Sequence, residues 1–334
     1  MAKKSSSARK FFGSQKFIVL LVFILLYIIF RSVSSEFGRY TTLVSMFDFS
    51  YYIVLMAFGV ALALITGGVD LSIGTGIVCY SIIGAALIKN QHVPVIVAIL
   101  VSILVAMLIG LLNGILIAVM DLAPFLATLC TCMIVRGLGS ICAKNFAIPW
   151  PTLQQAGGWF HKIFKVKLAD GTVIPVGFFW IFALMFVMMF VLNHTKFGRY
   201  IIAIGSNKEA TILSGVNVKF YHTMAYVICG LFAGVASIAY AAATPTIQPG
   251  VGAGVEMDAI GGAIVGGVSA SGGSGSMEGT FIGAYVIMIL KVGLPFVGLN
   301  ANWQQIITGL VLIGAVMIDI IKRRRAAAML GVAA

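Results

Sequence analysis

Apolar residues run without a break from Phe17 to Phe30, and comparable runs follow one another along almost the whole chain. An α-helix rises about 1.5 Å per residue, so roughly 20 apolar residues cross the ~30 Å hydrocarbon layer of a bilayer. There the backbone polar groups must be satisfied without water, which leaves only helices or a closed barrel. Barrel strands alternate apolar and polar residues over segments of about ten, and the Phe17–Phe30 run has no such alternation. The expected fold class is all-α, a polytopic helical membrane protein.

Composition agrees with that reading. The 334 residues are 60% hydrophobic, with 38 glycines besides, and 10% charged, where a soluble domain carries about 25% charged residues. Such a chain cannot cover its surface with polar groups. The five cysteines, Cys79, Cys130, Cys132, Cys142 and Cys229, are odd in number and lack metal-ligand spacing. They read as small buried hydrophobes rather than a disulfide framework or a metal site. The net charge of +12 reflects lysine and arginine that hold loops in the cytoplasm, with no basic and aromatic face that would suit a nucleic acid.

Three basic clusters set the expected orientation. Lys3, Lys4, Arg9, Lys10 and Lys16 precede the first run, Lys196, Arg199, Lys208 and Lys219 lie mid-chain, and Lys322 to Arg325 close the last run. Both termini and the middle loop should be cytoplasmic. The first run ends at Arg31 without a small-residue cleavage site, so it reads as a retained helix. About ten transmembrane helices are expected, at 17–32, 43–66, 71–88, 93–119, 124–143, 173–193, 221–243, 257–270, 278–298 and 305–321. The organisation is then a basic N-terminus (1–16), one transmembrane domain (17–321) and a basic tail (322–334). The segment 257–270 is short enough to be re-entrant, yet without it the C-terminus would fall outside. A shift of 199 residues superposes Gly67-Gly68-Val69 on Gly266-Gly267-Val268 and Ile83-Gly84-Ala85 on Ile282-Gly283-Ala284. This is either a pseudo-repeat, as transporters often carry, or chance similarity in a glycine-rich chain.

Four segments are candidates for function. In Thr66 to Gly74 two glycines and Asp70 interrupt a membrane run. Asp70 or Ser72 caps the next span, or the segment is a broken helix lining a transport path. Arg136 lies 12 residues past Pro124, roughly 18 Å along the helix, and must face protein or water. It is either a structural ion-pair partner, with Asp258 and Asp319 the candidates, or a contact for a polar substrate.

In the cytoplasmic loop 194–220, Ser206-Asn207-Lys208-Glu209 has the capping-box pattern, Ala210 to Ser214 continue as helix, and Gly215 stops it. So short a helix needs packing. Ala210, Ile212 and Leu213 either seek a protein partner or lie on the membrane surface. The outer loop 144–172 holds Trp150, Trp159, Lys162 and Lys165 and a hairpin signal at Asp170-Gly171. It is a folded cap that meets a partner, or its tryptophans form a headgroup belt.

No G-x-x-x-x-G-K-[ST] occurs, so a nucleotide-binding loop of that kind is absent from the sequence, and the four histidines match no hydrolase motif. No catalytic or metal-binding set is expected.

Taken in order, the motifs resemble a known family. They are Gly67-Gly68-Val69-Asp70-Leu71-Ser72-Ile73-Gly74, Asn113-Gly114, Pro124-Phe125-Leu126-Ala127-Thr128-Leu129 leading to Arg136-Gly137, Phe197-Gly198-Arg199-Tyr200 through Glu209-Ala210 to Val218, and Met257-Asp258-Ala259-Ile260 through Gly266-Gly267 to Gly273. From Ser45 to Asp319 the chain is similar to the permease subunit of bacterial ABC importers for monosaccharides, the ribose, galactose, xylose and arabinose type that includes autoinducer-2 permeases.

The resemblance implies a multi-pass protein of the bacterial cytoplasmic membrane that pairs with a second copy around a central pathway. An ABC ATPase subunit would bind below and an extracytoplasmic sugar-binding protein above, with a small sugar as substrate. ATP and magnesium would sit on the ATPase, with no cofactor in this chain. It further implies that the helix near Glu209 to Gly215 is the coupling helix docked in a groove of the ATPase. Relatives often read Gly-Asn-Pro-Glu-Ala-Ala where this chain has Gly205-Ser206-Asn207-Lys208-Glu209-Ala210-Thr211, and often place a basic residue at Ser274. These departures bear on ATPase pairing. An ion-coupled secondary transporter would instead need an acid such as Asp70, Asp258 or Asp319 at an ion site, and an integral-membrane enzyme would need clustered catalytic residues, of which the sequence offers none.

Overall fold

A helix apolar on every face has to be enclosed on every face. Helix α2 (Tyr40–Ile65) is that helix: from Ser50 to Ile65 every side chain is buried. The structure, a computed structural model, describes residues 15–329. Around α2 stand α1 (Gln15–Val33), α3 (Ser72–Gln91), α4 (Val95–Ala118), α5 (Pro124–Cys142), α6 (Val176–His194), α7 (Lys196–Ser206), α8 (Lys208–Leu213), α9 (Val218–Ala243), α10 (Val255–Val265), α11 (Met277–Gly293) and α12 (Ala301–Met329).

Among the described residues nine helices are long and apolar enough to cross a membrane. The outermost show it by composition: α4 exposes Leu100, Leu104, Leu108 and Leu111 along one stripe, the spacing of a lipid-facing flank. Its other side packs on α9 through small residues. A Cβ on Gly110 would meet the Tyr226 carbonyl at 2.4 Å, and one on Gly230 would meet the Ala106 carbonyl at 2.4 Å. Small residues let helix backbones approach where no hydrophobic effect drives them together.

The expected span 257–270 resolves differently. Helix α10 has 11 residues, roughly 16 Å, which is half the hydrocarbon layer. An extended stretch supplies the rest. Thr246–Ile247 pairs antiparallel with Ile148–Pro149 of the outer loop, and Gly250, Gly252 and Gly254 then take positive φ as the chain descends against α3. A Cβ on Gly252 would meet the Gly74 carbonyl at 2.8 Å. At the far end Gly267 lies beside the Gln15 side chain at the start of α1. Lys16 pairs with Glu278 there, and Ser269 donates to Asp319 of α12 at 2.7 Å. One face of the bundle thus carries the start of α1, the C-terminal part of α12, and α7 and α8 with their basic residues. The other carries the loop 144–172. They are called the basic face and the cap face below. The basic residues 3–10 fall outside the described residues.

Candidate functional site

Helices α2 and α10 end in the same way. After the cap residue Thr66, the Gly67 N–H bonds the Leu64 carbonyl at 2.9 Å and the Gly68 N–H bonds the Ala63 carbonyl at 3.1 Å. After Gly266, the Gly267 and Val268 N–H groups bond the Ile264 and Ala263 carbonyls, both at 2.9 Å. Each is a Schellman motif, and Gly67 (φ 87°) and Gly267 (φ 98°) hold its left-handed position. The structural equivalence therefore pairs Gly67 with Gly267, one residue off the register that the sequence shift gives. The two breaks touch: a Cβ on Gly272 would meet Gly67 Cα at 2.8 Å.

In the first break Asp70 is fully buried. Its Oδ1 accepts from the Ser72 N–H at 2.9 Å and from Ser72 Oγ at 2.6 Å, and Asn113 Nδ2 of α4 donates to Ser72 Oγ at 3.0 Å. Asp70 thus satisfies the start of α3, as one of the two sequence readings has it. Sequence reasoning missed Tyr226, whose hydroxyl is buried with no hydrogen-bond partner among the described residues and would meet a Cβ on Gly68 at 2.1 Å. Its spacing from Gly230, one turn on, places it on the face of α9 that meets α4, but nothing local ties it to Asp70.

The loop 194–220 contains a helix the sequence reading did not separate. Helix α7 begins at the cap Thr195, whose hydroxyl accepts from the Gly198 N–H at 3.2 Å, and runs through Ser206. The Ser206 cap is therefore corrected. Ser206 Oγ donates back to the Ile202 carbonyl at 2.9 Å as the last residue of α7, and Asn207 caps α8, accepting from the Ala210 N–H at 2.9 Å. Glu209 has no part in a capping box with Ser206. Gly215 ends the turn at φ 77°, as expected. Ala210 is exposed, Ile212 is 53% exposed and Leu213 88%.

The end of α7 is wedged between the two breaks. A Cβ on Gly205 would meet the Ile65 carbonyl at 1.8 Å and the Gly273 nitrogen at 2.5 Å, while the Gly273 N–H bonds that same Ile65 carbonyl at 2.8 Å. Lys208 also bridges to Asp121 in the α4–α5 connection at 2.8 Å, and the ammonium holds this exposed carboxyl below the usual carboxylate range. The end of α7, which leads directly into α8, is thus in backbone contact with both helix interruptions.

Arg136 does not have the ion-pair partner expected of it. Among the described residues Asp258 pairs with Lys291 and Asp319 accepts from Ser269, while Arg136 is exposed on α5 amid exposed Phe125, Leu126, Leu129, Met133 and Leu138. Helix α5 packs by one flank only, on α3 and α4, which is why Arg136 points outward.

The outer loop is a folded cap. Its hairpin forms around Asp170-Gly171, with Val166 opposite Ile174 and Lys167 opposite Val173. Trp150 is 1% exposed and donates Nε1 to the Ser81 carbonyl at 2.9 Å, so it is a core residue of the cap and neither a headgroup anchor nor a docking residue. The physical reason is Gly84 beneath it, which leaves room for the indole. Lys165 is held by Asp48 of α2 at 2.8 Å. Trp159 and Lys162 are exposed.

Residues 42–316 match the family model described as branched-chain amino acid transport system / permease component. The chain is 32% identical over 327 residues to Ribose import permease protein RbsC of Escherichia coli, covering 96% of this chain and 99% of that one. It is 32% identical over 284 residues to the galactose/methyl galactoside import permease protein MglC of Escherichia coli, with 81% and 84% covered. The figure for the same organism's probable ABC transporter permease protein YphD is 33% over 310 residues, with 92% and 90% covered. No solved structure gives a significant match. The chain belongs to the branched-chain amino acid transport system / permease component family and, within it, is a multi-pass membrane permease of the sugar ABC importer type.

Proposed function

We propose that the chain moves a monosaccharide inward by alternating access, as the membrane subunit of an importer whose ATP and magnesium are held by a partner ATPase. The observation that carries this reading is the wedge of Gly205 between Ile65 and Gly273. A partner seated on Ile212 and Leu213 would move α8, and through α7 both helix breaks, without any nucleotide on this chain. The exposed apolar face of α8 suits a groove in such an ATPase. The monosaccharide follows from the names of the ribose and galactose relatives.

A second copy would stand opposite α5. Arg136 is costly against acyl chains, and a water-filled path between two α5 helices gives it hydration. On the cap face, Trp159 and Lys162 offer an apolar and cationic rim for an extracytoplasmic sugar-binding protein. The test is uptake of labelled ribose and galactose into liposomes holding the purified complex. Accumulation that needs both ATP inside and the binding protein outside supports the reading, and accumulation driven by a proton or sodium gradient alone sinks it.

A further inference from the structure

On the cap-face half of the bundle, a cleft of about 500 Å³ opens between α10, α11 and α12, within the roughly 300–1,000 Å³ of small-molecule sites. Asp258 is 5% exposed and pairs with Lys291 Nζ through Oδ2. Gln304, Gln305 and Thr308 line the same cleft. Gln304 and Thr308 are one helical turn apart and share a face.

The polar groups here exceed what the ion pair needs. An ammonium carries three donors, and among the described residues Lys291 uses one. Asp258 Oδ1 and the side chains of Gln304, Gln305 and Thr308 likewise have no hydrogen-bond partner there. Asp258 is buried but the Lys291 side chain is 36% exposed on the cleft side, and a pair kept only to join α10 to α11 would be most stable with its remaining valences satisfied and its surroundings dry. This one faces an open space, and three uncharged hydrogen-bonding side chains of α12, Gln304, Gln305 and Thr308, line that space with it. Thr308 lies seven residues into α12, roughly 10 Å along the helix, where polar groups are retained for water or a ligand.

We propose that this cleft is a binding chamber for a polyhydroxylated solute of monosaccharide size, in which Asp258 Oδ1 and Lys291 Nζ take adjacent hydroxyls and Gln304, Gln305 and Thr308 take the others. Adjacent hydroxyls each donate and accept, so a carboxylate oxygen and an ammonium side by side match them, while the chamber carries no net charge that would favour an ion. The inference rests on the importer reading and names where the solute is held within it.

The experiment uses the complete complex in liposomes. Thr308→Trp, which fills the chamber, should lower ATP-driven uptake of ribose and galactose about tenfold or more while ATP hydrolysis stimulated by the loaded binding protein persists. Gln304→Ala should raise the half-saturating sugar concentration about tenfold, the size of one lost hydrogen bond. In Thr308→Cys, a charged thiol reagent should modify the peptide carrying residue 308, and saturating ribose or galactose should slow that modification. If Thr308→Trp does not assemble, the thiol measurement decides. Uptake at the unaltered rate in an assembled Thr308→Trp complex, or a residue 308 thiol that is unreactive or unprotected, overturns the chamber. Failure of the unaltered complex to take up either sugar with ATP is a different result, which overturns the importer reading and this inference with it.

Discussion

The two glycine breaks end their helices with identical hydrogen bonds and then part company. In the first, four residues separate Gly67 from Ser72, and the acid that stabilises the restart lies in the loop itself, fully buried and bonded to Ser72 within the same turn. In the second, the loop runs on to Ser276, which caps α11 by accepting from the Gly279 N–H at 3.2 Å, and the acid comes from α12, where Asp319 is reached by Ser269 Oγ. One terminator thus serves as a self-contained pin and the other as a tie to a peripheral helix. The first break is held by α4 and α9 at the core, the second by an outer helix, so a displacement of α7 would be expected to strain them unequally.

The largest effect is expected where the breaks meet. Gly205→Ala puts a Cβ 1.8 Å from a backbone carbonyl, which no side-chain rotation relieves, and overpacking of this kind costs about 1–3 kcal/mol or more. Transport should be lost, with a lower melting temperature in detergent. Normal transport by Gly205→Ala would show that the wedge is loose and that the two breaks are not joined through α7.

Next comes Leu213→Glu. A charge on this side chain, 88% exposed, disturbs no packing within the chain, so membrane yield should be unchanged while ATP hydrolysis no longer drives uptake. Unimpaired uptake would remove α8 as the point of entry for force on either break.

The pin and the tie can be compared directly. Asp70→Ala leaves the Ser72 N–H and hydroxyl without their acceptor in a fully buried site, at about 1–3 kcal/mol for each orphaned group. Ser269→Ala removes one hydrogen bond to a half-buried carboxylate, about 1.5–3 kcal/mol, against two orphaned groups at Asp70. Thermal melting of the two variants beside the unaltered protein measures the ratio, and equal losses would erase the distinction between the breaks.

Much of this was legible in the sequence because it is local. The apolar runs, the glycine terminators, Gly215 and the Asp170-Gly171 hairpin each depend on a few adjacent residues. The half-helix α10 looks like a full span in the sequence because Val268 to Ala270 continue the apolar pattern beyond Gly266-Gly267, and composition cannot tell an extended stretch from a helix. Ser206 looks like a cap in the sequence because Phe197 to Ile204 resemble a loop between membrane runs, while Thr195, two residues before Phe197, caps a helix that runs on through Ser206. What stayed illegible was long-range: the pairing of Asp258 with Lys291 rather than Arg136, the burial of Trp150 over Gly84, and the meeting of Gly205, Ile65 and Gly273 all need the third dimension.

The smallest effect concerns an exposed ion pair that favours the first break. Lys208 ties α8 to Asp121 in the connection that follows α4, the helix whose Asn113 braces the first break. Both side chains are exposed, and such pairs contribute little at neutral pH and less in salt. The sign is still determined. The folded state holds Asp121 below the ordinary carboxylate range, chiefly through its hydrogen bond from Lys208, so the stabilisation is complete above the unfolded value, about 4, and is lost as pH falls through the lowered folded value. Asp121→Asn should therefore melt slightly below the unaltered protein at pH 7 and coincide with it once the pH is well under that lowered value, the gap at pH 7 closing with added salt. A gap that persists in acid would mean that residue 121 acts through its left-handed backbone, φ 55°, and that the tie between α8 and the first break is steric rather than electrostatic.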